Sequence, residues 1–143
     1  MNWSLDEKKM YYQDSPLRTV SGFDFDTDKG SISEREEIIK VPKGMGDPDG
    51  NTLDATGMVW MAHWGGACIS KWNPHTGQML QKVDVPACNV TSVAFGGPNL
   101  EDLYITTASL YAPEEKKSQY PDQGKLFVCQ PGVKGIRANY FSK

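Results

Sequence analysis

Short apolar or alternating stretches, bounded by Gly, Pro, Asn and Asp, recur along the whole chain. Runs of this kind predict β-strands joined by tight turns. Helical periodicity is nearly absent. The one charged stretch of helical composition, residues 33–40, is short and leads into Val41 and Pro42. The sequence therefore predicts an all-β fold with about ten strands, at 9–13, 19–24, 36–41, 51–54, 58–62, 67–72, 78–85, 90–95, 103–107 and 125–130.

An internal repeat organises these strands. Residues 25–32 match residues 72–79: each has an aromatic residue, then Asp or Asn, then Gly four residues later and an apolar residue two further on. Residues 10–12, 59–61 and 103–105 follow a similar spacing. Repeats of roughly 40–50 residues with four strands each are typical of β-propeller blades. The aromatic-Asp-x-x-x-Gly stretch is then the hairpin turn between the third and fourth strands of a blade.

The repeat divides residues 1–143 into about three four-stranded blades, roughly 3–41, 49–86 and 90–143. Propellers typically close with four to eight blades. We therefore expect a partial β-propeller, an open half ring whose terminal sheet faces have no neighbouring blade. Unpaired strand edges and open apolar faces favour association with other chains.

Composition narrows the class of protein. The chain has 143 residues, 38% of them hydrophobic, and a net charge of −3, which argues against nucleic acid or an anionic membrane as partner. No apolar run approaches the roughly 18 residues of a membrane span, and residues 1–7 do not look like a signal peptide. The three widely spaced cysteines, Cys68, Cys88 and Cys129, predict free buried thiols rather than disulfides or a zinc site. Together these features predict a cytoplasmic protein.

Asp49 is the leading candidate for chemistry. It lies in a Pro48-Asp49-Gly50 turn ahead of an apolar strand, and a second turn, residues 54–57, follows that strand. Turn chemistry at both ends would fix the backbone and hold the carboxylate rigidly, as a hard-metal ligand or a general base requires. The alternative is an ordinary surface turn.

Other polar residues have simpler explanations. His63 is expected to pack against or cap its strand, and His75 is expected to be exposed in a hairpin turn. Asp14 and Ser15 could face a central channel, but a turn-capping role is favoured. Residues 34–37 are expected to form a solvated hairpin face, and the pairs at 65–66 and 96–97 are expected to be tight glycine turns.

The order and spacing of several motifs resemble the senescence-marker-protein, regucalcin and gluconolactonase family of six-bladed propellers, which includes luciferin-regenerating enzymes. The resemblance covers nearly the whole chain and corresponds to the C-terminal half of that family. The motifs that carry it are Trp3-Ser4-x-Asp6-x-Lys8-x-Met10-Tyr11-Tyr12, Phe23-Asp24-Phe25-Asp26, Pro48-Asp49-Gly50, Asp54-Ala55-x-Gly57, Trp60-x-Ala62, Trp64-Gly65-Gly66, Thr91-Ser92-x-Ala94-Phe95-Gly96-Gly97-Pro98 and Leu103-Tyr104-Ile105-Thr106.

The resemblance implies one divalent metal on the propeller axis, held by a Glu, an Asn and an Asp, with the Asp also acting as general base. Asp49 corresponds to that Asp. The family's Asn would fall before Met1, and Asn2 lies too late to replace it. The family's Glu and its substrate-holding Arg and Asn have no counterpart in this chain either. One ligand of three cannot both hold a metal and position water, so the chain alone is expected to be a poor enzyme.

Three functions stay open at this point. The first is part of a sugar lactonase that depends on a divalent metal, Ca²⁺ or Zn²⁺, with Mn²⁺ or Mg²⁺ as further options, and that acts on a small-molecule sugar lactone. The second is a calcium-binding regulatory protein without turnover. The third is an inactive truncated or split propeller that needs a partner, the missing N-terminal half.

Overall fold

A computed structural model describes residues 1–138. These residues are almost entirely strands and turns, which confirms the predicted all-β class. The strands are β1 (Asn2–Trp3), β2 (Lys9–Asp14), β3 (Thr19–Asp26), β4 (Ser31–Lys40), β5 (Asp47–Leu53), β6 (Val59–Trp64), β7 (Cys68–Trp72), β8 (Met79–Asp84), β9 (Asn89–Gly96), β10 (Asp102–Ala108) and β11 (Phe127–Cys129).

The strands form three antiparallel sheets in sequence order. The first sheet is β1-β2-β3-β4, the second is β5-β6-β7-β8 and the third is β9-β10-β11. Each sheet is an up-and-down meander, so β1, β5 and β9 are equivalent first strands. The contacts of β5 with β1 and with β9 place these first strands side by side. The three sheets therefore stand in a row, as blades do.

The predicted hairpin turns are present. The Gly30 N–H donates to the Asp26 carbonyl at 2.8 Å, and the Gly77 N–H donates to the Asn73 carbonyl at 2.9 Å. Both glycines have a positive φ, 63° and 69°, which a side chain would disfavour. These turns join the third and fourth strands of the first two sheets, as the repeat predicts.

The third sheet departs from the expected pattern. It has three strands in the described part of the chain instead of four. The segment between β10 and β11 contains a short helix, α1 (Glu114–Gln119), that the sequence analysis did not predict. Pro113 precedes α1, two glutamates occupy its first turn and two lysines its last, and no α1 residue is buried. Acidic residues at the start and basic residues at the end of a helix complement its dipole.

The core consists of two layers between the sheets. The first layer contains Tyr11, Val20, Ile39, Val41, Leu53, Val59, Met61 and Trp72. The second layer contains Trp60, Ala62, Ile69, Val85, Ala87, Val90, Val93, Leu103 and Ile105. Successive β6 residues thus pack in opposite layers, as side chains of a strand must. The second sheet is consequently covered on both faces.

A buried ion pair fixes the turn at the end of β5. Asp54 is fully buried, and its Oδ2 lies 2.8 Å from the Lys71 Nζ and accepts a hydrogen bond of 3.0 Å from the Trp60 indole. Its Oδ1 accepts hydrogen bonds from the Thr56 side chain and from the N–H groups of Thr56 and Met58. The predicted turn at residues 54–57 is therefore confirmed, with a Gly57 N–H to Asp54 carbonyl bond of 2.9 Å.

The segment after β11 ties the second sheet to the third. Gly135 pairs with Asp54 in an isolated β-bridge, and its N–H donates to the Leu100 carbonyl at 2.8 Å. Gly135 is buried, and a Cβ at this position would overlap the side chain of Phe95. Only glycine allows the segment to lie this close to β9.

Candidate functional site

Asp49 lies inside strand β5, not in a turn before it. β5 begins at Asp47, and its pairing with β6 shifts register between Pro48 and Asn51. The prediction of a Pro-Asp-Gly turn is therefore wrong, because these residues form the irregular start of the strand. β5 is the first strand of its sheet and pairs with β6 alone. Proline is tolerated on such an edge strand, since one side of its backbone makes no ladder hydrogen bonds.

A set of three side-chain amides, which we call the carboxamide cluster, surrounds this part of β5. The Gln13 Nε2 donates to the Asp49 carbonyl. The Asn51 Nδ2 donates to the Gln13 Oε1 at 2.9 Å, and the Asn2 Nδ2 donates to both the carbonyl and the side-chain oxygen of Asn51. The cluster links β1, β2 and β5 and holds the backbone of Asp49 against the first sheet.

On the other side of the site, strand β9 lies very close to β5. A Cβ on Gly50 would overlap the side chain and backbone of Ser92. Glycine is therefore needed beside Asp49 because the two first strands nearly touch at this point. Gly50 thus allows Ser92, a residue to which the sequence analysis gave no individual role, to lie against the residue that follows Asp49.

Burial is the main influence on the ionisation of Asp49. The residue is half-buried, and burial raises the pKa of its carboxyl, while a hydrogen bond from the Gly50 N–H acts in the opposite direction. No cation within the described residues forms an ion pair with it. A carboxylate with a raised pKa is a better proton acceptor than an ordinary aspartate.

This environment predicts that Asp49 destabilises the fold at neutral pH. A carboxyl whose folded-state pKa is raised ionises more readily in the unfolded chain, so its penalty develops as pH rises through the usual Asp range. We expect Asp49→Asn to increase the free energy of unfolding slightly at pH 7 and to increase it less at pH 3.5. Urea denaturation measures both values.

The matched control is Asp47→Asn in the same strand. Asp47 forms a half-buried ion pair with Arg18 at 2.8 Å, so Asp47→Asn should lower the free energy of unfolding slightly or leave it unchanged. If Asp49→Asn lowers the free energy of unfolding at pH 7, as Asp47→Asn is expected to do, the assignment of Asp49 as a desolvated carboxylate is contradicted.

His63 is buried in β6 and has a structural role. It is fully buried, its Nε2 lies 2.6 Å from the Ser70 Oγ, and the Trp72 indole donates to the same Oγ at 2.6 Å. Burial, with a smaller effect of Lys82, lowers the pKa of His63 to about 4. His63 is therefore neutral at physiological pH and packs inside the sheet, as the sequence analysis favoured.

The remaining polar candidates lie away from Asp49 or act in turns. His75 is exposed in the hairpin turn, where its N–H donates to the Asn73 side chain at 2.8 Å. The Asp14 Oδ1 accepts a hydrogen bond of 3.1 Å from the Leu17 N–H, which is the favoured turn-capping role. Residues 34–37 are exposed, as expected of a solvated hairpin face.

The predicted glycine turns and free thiols are also observed. Gly65 and Gly97 have positive φ values of 74° and 79°, and a Cβ on Gly66 would overlap the Met45 carbonyl. All three cysteines are free; Cys68 and Cys88 are buried and Cys129 is half-buried. Within residues 1–138, no helix combines the length and hydropathy needed to cross a bilayer.

The described residues do not by themselves build a metal centre. Among residues 1–138, no three His, Cys, Asp or Glu side chains come together as a possible metal site. The amides nearest Asp49 are engaged with each other in the carboxamide cluster. A divalent ion needs more oxygen or nitrogen ligands than this one carboxylate supplies.

The sequence analysis identified Asp49 through its motif and missed its surroundings. Gln13 and Asn51 are polar residues at half-buried strand positions, and that break in the apolar pattern was the available signal. Asn2 was considered only as a metal ligand, whereas the structure places it on Asn51. The position of the Asp49 carboxylate on the propeller axis, which the resemblance implies, stays a prediction.

Comparison with known proteins defines the class. Residues 1–109 match the family model described as the SMP-30/Gluconolactonase/LRE-like region, and the chain belongs to this family. It is 40% identical to zebrafish regucalcin over 137 residues, which are 95% of this chain and 46% of that protein. Identity to human regucalcin is 39% with the same coverage. The chain thus spans slightly less than half the length of these relatives.

Solved structures agree with this assignment. A luciferin-regenerating enzyme is 39% identical, with a TM-score of 0.85 over 94% of this chain and 45% of that one. A calcium-binding regucalcin from Agrobacterium tumefaciens is 26% identical, with the same TM-score and coverage. A gluconolactonase from Xanthomonas campestris, at 24% identity and a TM-score of 0.60, shares the fold. The fold is accordingly a partial β-propeller.

Proposed function

We propose that this chain contributes Asp49 as the general base of a site that hydrolyses a sugar lactone, and that further groups of the site come from outside residues 1–143. The observation that carries the proposal is that Asp49 lies on β5, the first strand of the second sheet, and is half-buried. Burial raises the pKa of its carboxyl. Family membership supports the choice of a lactone, since gluconolactonases belong to the same group.

The chemistry requires a base that is both ionised and fixed. The Asp49 carboxylate accepts a proton from water while the water oxygen bonds to the lactone carbonyl carbon. The ring C–O bond then breaks, and the proton passes to the departing alkoxide, which leaves an open-chain hydroxy acid. The carboxamide cluster and the Gly50–Ser92 contact hold the backbone of this base from two sides.

The chain alone is proposed to be a poor enzyme. Within residues 1–138, Asp49 belongs to no group of three His, Cys, Asp or Glu side chains that could hold a metal ion. A divalent ion such as Ca²⁺, Zn²⁺, Mn²⁺ or Mg²⁺ would need ligands beyond those described here. By resemblance, the missing ligands belong to an N-terminal half of the propeller.

The test is a reconstitution assay. The chain of 143 residues is assayed with a sugar lactone and each of the four ions, alone and mixed with the N-terminal half of a full-length regucalcin. We expect turnover only in the mixture, and we expect Asp49→Asn to reduce it by about 10²- to 10⁴-fold, the usual contribution of a general base. Asp47→Asn is the control and should leave turnover unchanged.

Two results would contradict the proposal. Robust turnover by the chain alone would show that other residues of this chain complete the site. Turnover in the mixture that survives Asp49→Asn would remove Asp49 as the base.

A calcium-binding role without turnover is the second candidate. The similarity to regucalcins, one of them described as a calcium-binding protein, favours it. Calorimetry of the same mixture with Ca²⁺ separates the two functions. Binding that depends on Asp49 without lactone hydrolysis supports the regulatory role, and neither binding nor turnover supports an inactive split propeller.

A further inference from the structure

A groove between the first and second sheets has no part in the site around Asp49. Its volume is about 310 Å³, and it lies between strands β2, β3 and β4 and the β7–β8 hairpin turn. That turn is packed against β4, since a Cβ on Gly77 would lie 2.8 Å from the Ile38 carbonyl oxygen. In the second sheet this turn and the start of β5 lie at opposite edges, so the groove is at the far edge from Asp49. Both walls consist of residues 9–77.

The strand register of the first sheet accounts for the groove. Tyr11 lies opposite Gly22 on the neighbouring strand, and Gly22 lies opposite Glu36 on the next strand. Side chains of directly opposite residues project from the same face of a sheet. Because Gly22 has no side chain, a gap remains between the tyrosine and the glutamate. A wider cleft of about 730 Å³ adjoins the groove and shares Lys9, Tyr11 and His75 with it.

The Tyr11 hydroxyl lacks the partner that a buried polar group normally has. Tyr11 is 6% exposed, its ring packs in the first core layer, and it lines both the groove and the cleft. The hydroxyl makes no hydrogen bond with any group in residues 1–138, but, unlike the unpartnered Thr19 hydroxyl, it is not sealed from solvent. It therefore opens into the groove. Buried polar groups are nearly always hydrogen-bonded, so this hydroxyl is available to a ligand.

Carboxylates outnumber lysines along the groove and the cleft. The lining contains two lysines, Lys8 and Lys9, and five carboxylates, Asp6, Asp24, Asp26, Glu36 and Glu37. Lysines pair with three of these carboxylates, as in the Lys9–Asp24 ion pair of 2.5 Å. Within residues 1–138, Asp6 and Glu36 form no ion pair. Asp6 acts electrostatically on Tyr11, and Glu36 acts on Lys9, so each lies near a residue that the groove and the cleft share.

This arrangement suits an organic cation. An ammonium group has three N–H donors and no acceptor, and the groove offers it the Glu36 carboxylate and the Tyr11 hydroxyl oxygen as acceptors. Hydrogen bonds from an ammonium to a carboxylate are among the strongest in proteins. Asp6 offers a second carboxylate in the adjoining cleft. A metal ion fits less well, because no three His, Cys, Asp or Glu side chains come together among residues 1–138.

We propose that the groove and the cleft bind a linear aliphatic polyamine, with one ammonium group at Glu36 and the Tyr11 hydroxyl and another at Asp6. The volume of the groove lies within the range of pockets that hold small molecules. Because this site and Asp49 lie at opposite edges of the second sheet, a bound polyamine leaves Asp49 free. The proposal does not depend on lactone hydrolysis.

Isothermal titration calorimetry of the full chain with spermidine tests the proposal. We expect one spermidine to bind per chain, with an affinity that falls as salt is added, because salt screens ion pairs at a protein surface. Tyr11→Phe removes only the hydroxyl and should weaken binding by about fivefold. Glu36→Gln removes the charge and should weaken binding by about tenfold or more. Because Glu36 is exposed, Glu36→Gln tests the site even if Tyr11→Phe lowers stability.

Tyr12→Phe and Glu34→Gln are the matched controls. Tyr12 is the exposed neighbour of Tyr11 on the other face of β2, and Glu34 is an exposed residue of β4. Neither lines the groove or the cleft, so both variants should bind spermidine as the wild type does. Glu34→Gln changes the net charge as Glu36→Gln does. It therefore separates a specific site from a general attraction of the amine to an acidic chain.

Proton NMR locates the bound amine. The chain has two histidines: His75 lines the groove and the cleft, and His63 is buried in β6. Spermidine should shift the ring signals of His75 and leave those of His63 in place, and His75→Gln assigns the signals. A wild-type chain that does not bind spermidine, or an affinity that Tyr11→Phe and Glu36→Gln leave unchanged, would overturn the proposal. Equal affinity for n-butylamine would overturn the second ammonium position at Asp6, and tighter binding of glucose would overturn the choice of a cation.

Discussion

Replacing Asp54 with alanine should lower the free energy of unfolding by about 3–5 kcal/mol, the usual cost of removing one partner from a buried ion pair. Asp54 is fully buried, and the side chain of Lys71 beside it is only 12% exposed. Without the carboxylate, the Lys71 ammonium would stay largely buried with no counter-ion. The Trp60 indole and two backbone N–H groups would also lose their acceptor.

Because Asp54 ionises, the loss of stability in Asp54→Ala should depend on pH. Burial by itself would raise the pKa of this carboxyl, but Lys71, Thr56, Trp60 and the Met58 N–H together hold it below its ordinary value. A lowered carboxyl pKa stabilises the fold above the usual Asp range, and that contribution is lost as pH falls through the folded-state pKa. The difference in stability between wild type and Asp54→Ala should therefore narrow in strong acid.

Urea denaturation measures this effect, and Asp28→Ala is the control. Asp28 is exposed in the hairpin turn between β3 and β4, so its removal should change stability by no more than about 0.5 kcal/mol. Lys71→Met in the Asp54→Ala background should restore part of the stability, because it removes the uncompensated charge. A cost below about 1 kcal/mol for Asp54→Ala would contradict the buried ion pair.

Asp54 also shows what the sequence could and could not predict. The spacing from Asp54 to Gly57 correctly indicated a turn, since that signal is local. The burial of the carboxylate was not predictable from spacing, because its counter-ion lies on β7, two strands away in the sheet. Partners that meet only through sheet register leave no mark in a short window of sequence.

The same distinction separates the fold from the candidate site. Strand positions, hairpin turns and the blade repeat depend on period-two alternation and on Gly, Pro, Asn and Asp, and they were predicted well. The start of β5 was predicted wrongly, because Pro48 and Gly50 resemble a turn but lie in an irregular edge strand. The contact of Gln13 with Asp49 joins residues 36 apart and became visible only in the structure.

The third sheet differs from the prediction between its second and third strands. Residues 109–126 contain a charged stretch that forms the short helix α1, where the sequence analysis predicted no regular element. Helical composition and alternating apolar patterns are separate signals, and only the second was used along this part of the chain. A fourth strand of this sheet would follow β11, and residues 139–143 lie outside the described part of the chain.

Lowering the pH from 7 to 4 should cost about 3 kcal/mol of stability through His63 alone. Its pKa is about 4 in the folded chain, because it is buried without a counter-ion, and near 6.5 when unfolded. Between these two values the unfolded chain binds a proton that the folded chain excludes, so stability falls as pH drops through this window and levels off below it. About 2 kcal/mol of this loss should be complete by pH 5.

The measurement is the free energy of unfolding in urea at pH 7, 6 and 5, at one fixed protein concentration. His63→Gln removes the titrating group, so its stability should decline with pH by about 2 kcal/mol less than that of the wild type over this range, whatever its stability at pH 7. His75→Gln is the control, because His75 is exposed in a turn and should leave the wild-type slope unchanged. Equal slopes for wild type and His63→Gln would mean that His63 accepts a proton in the folded chain, which its position between Ser70 and Trp72 inside the sheet argues against.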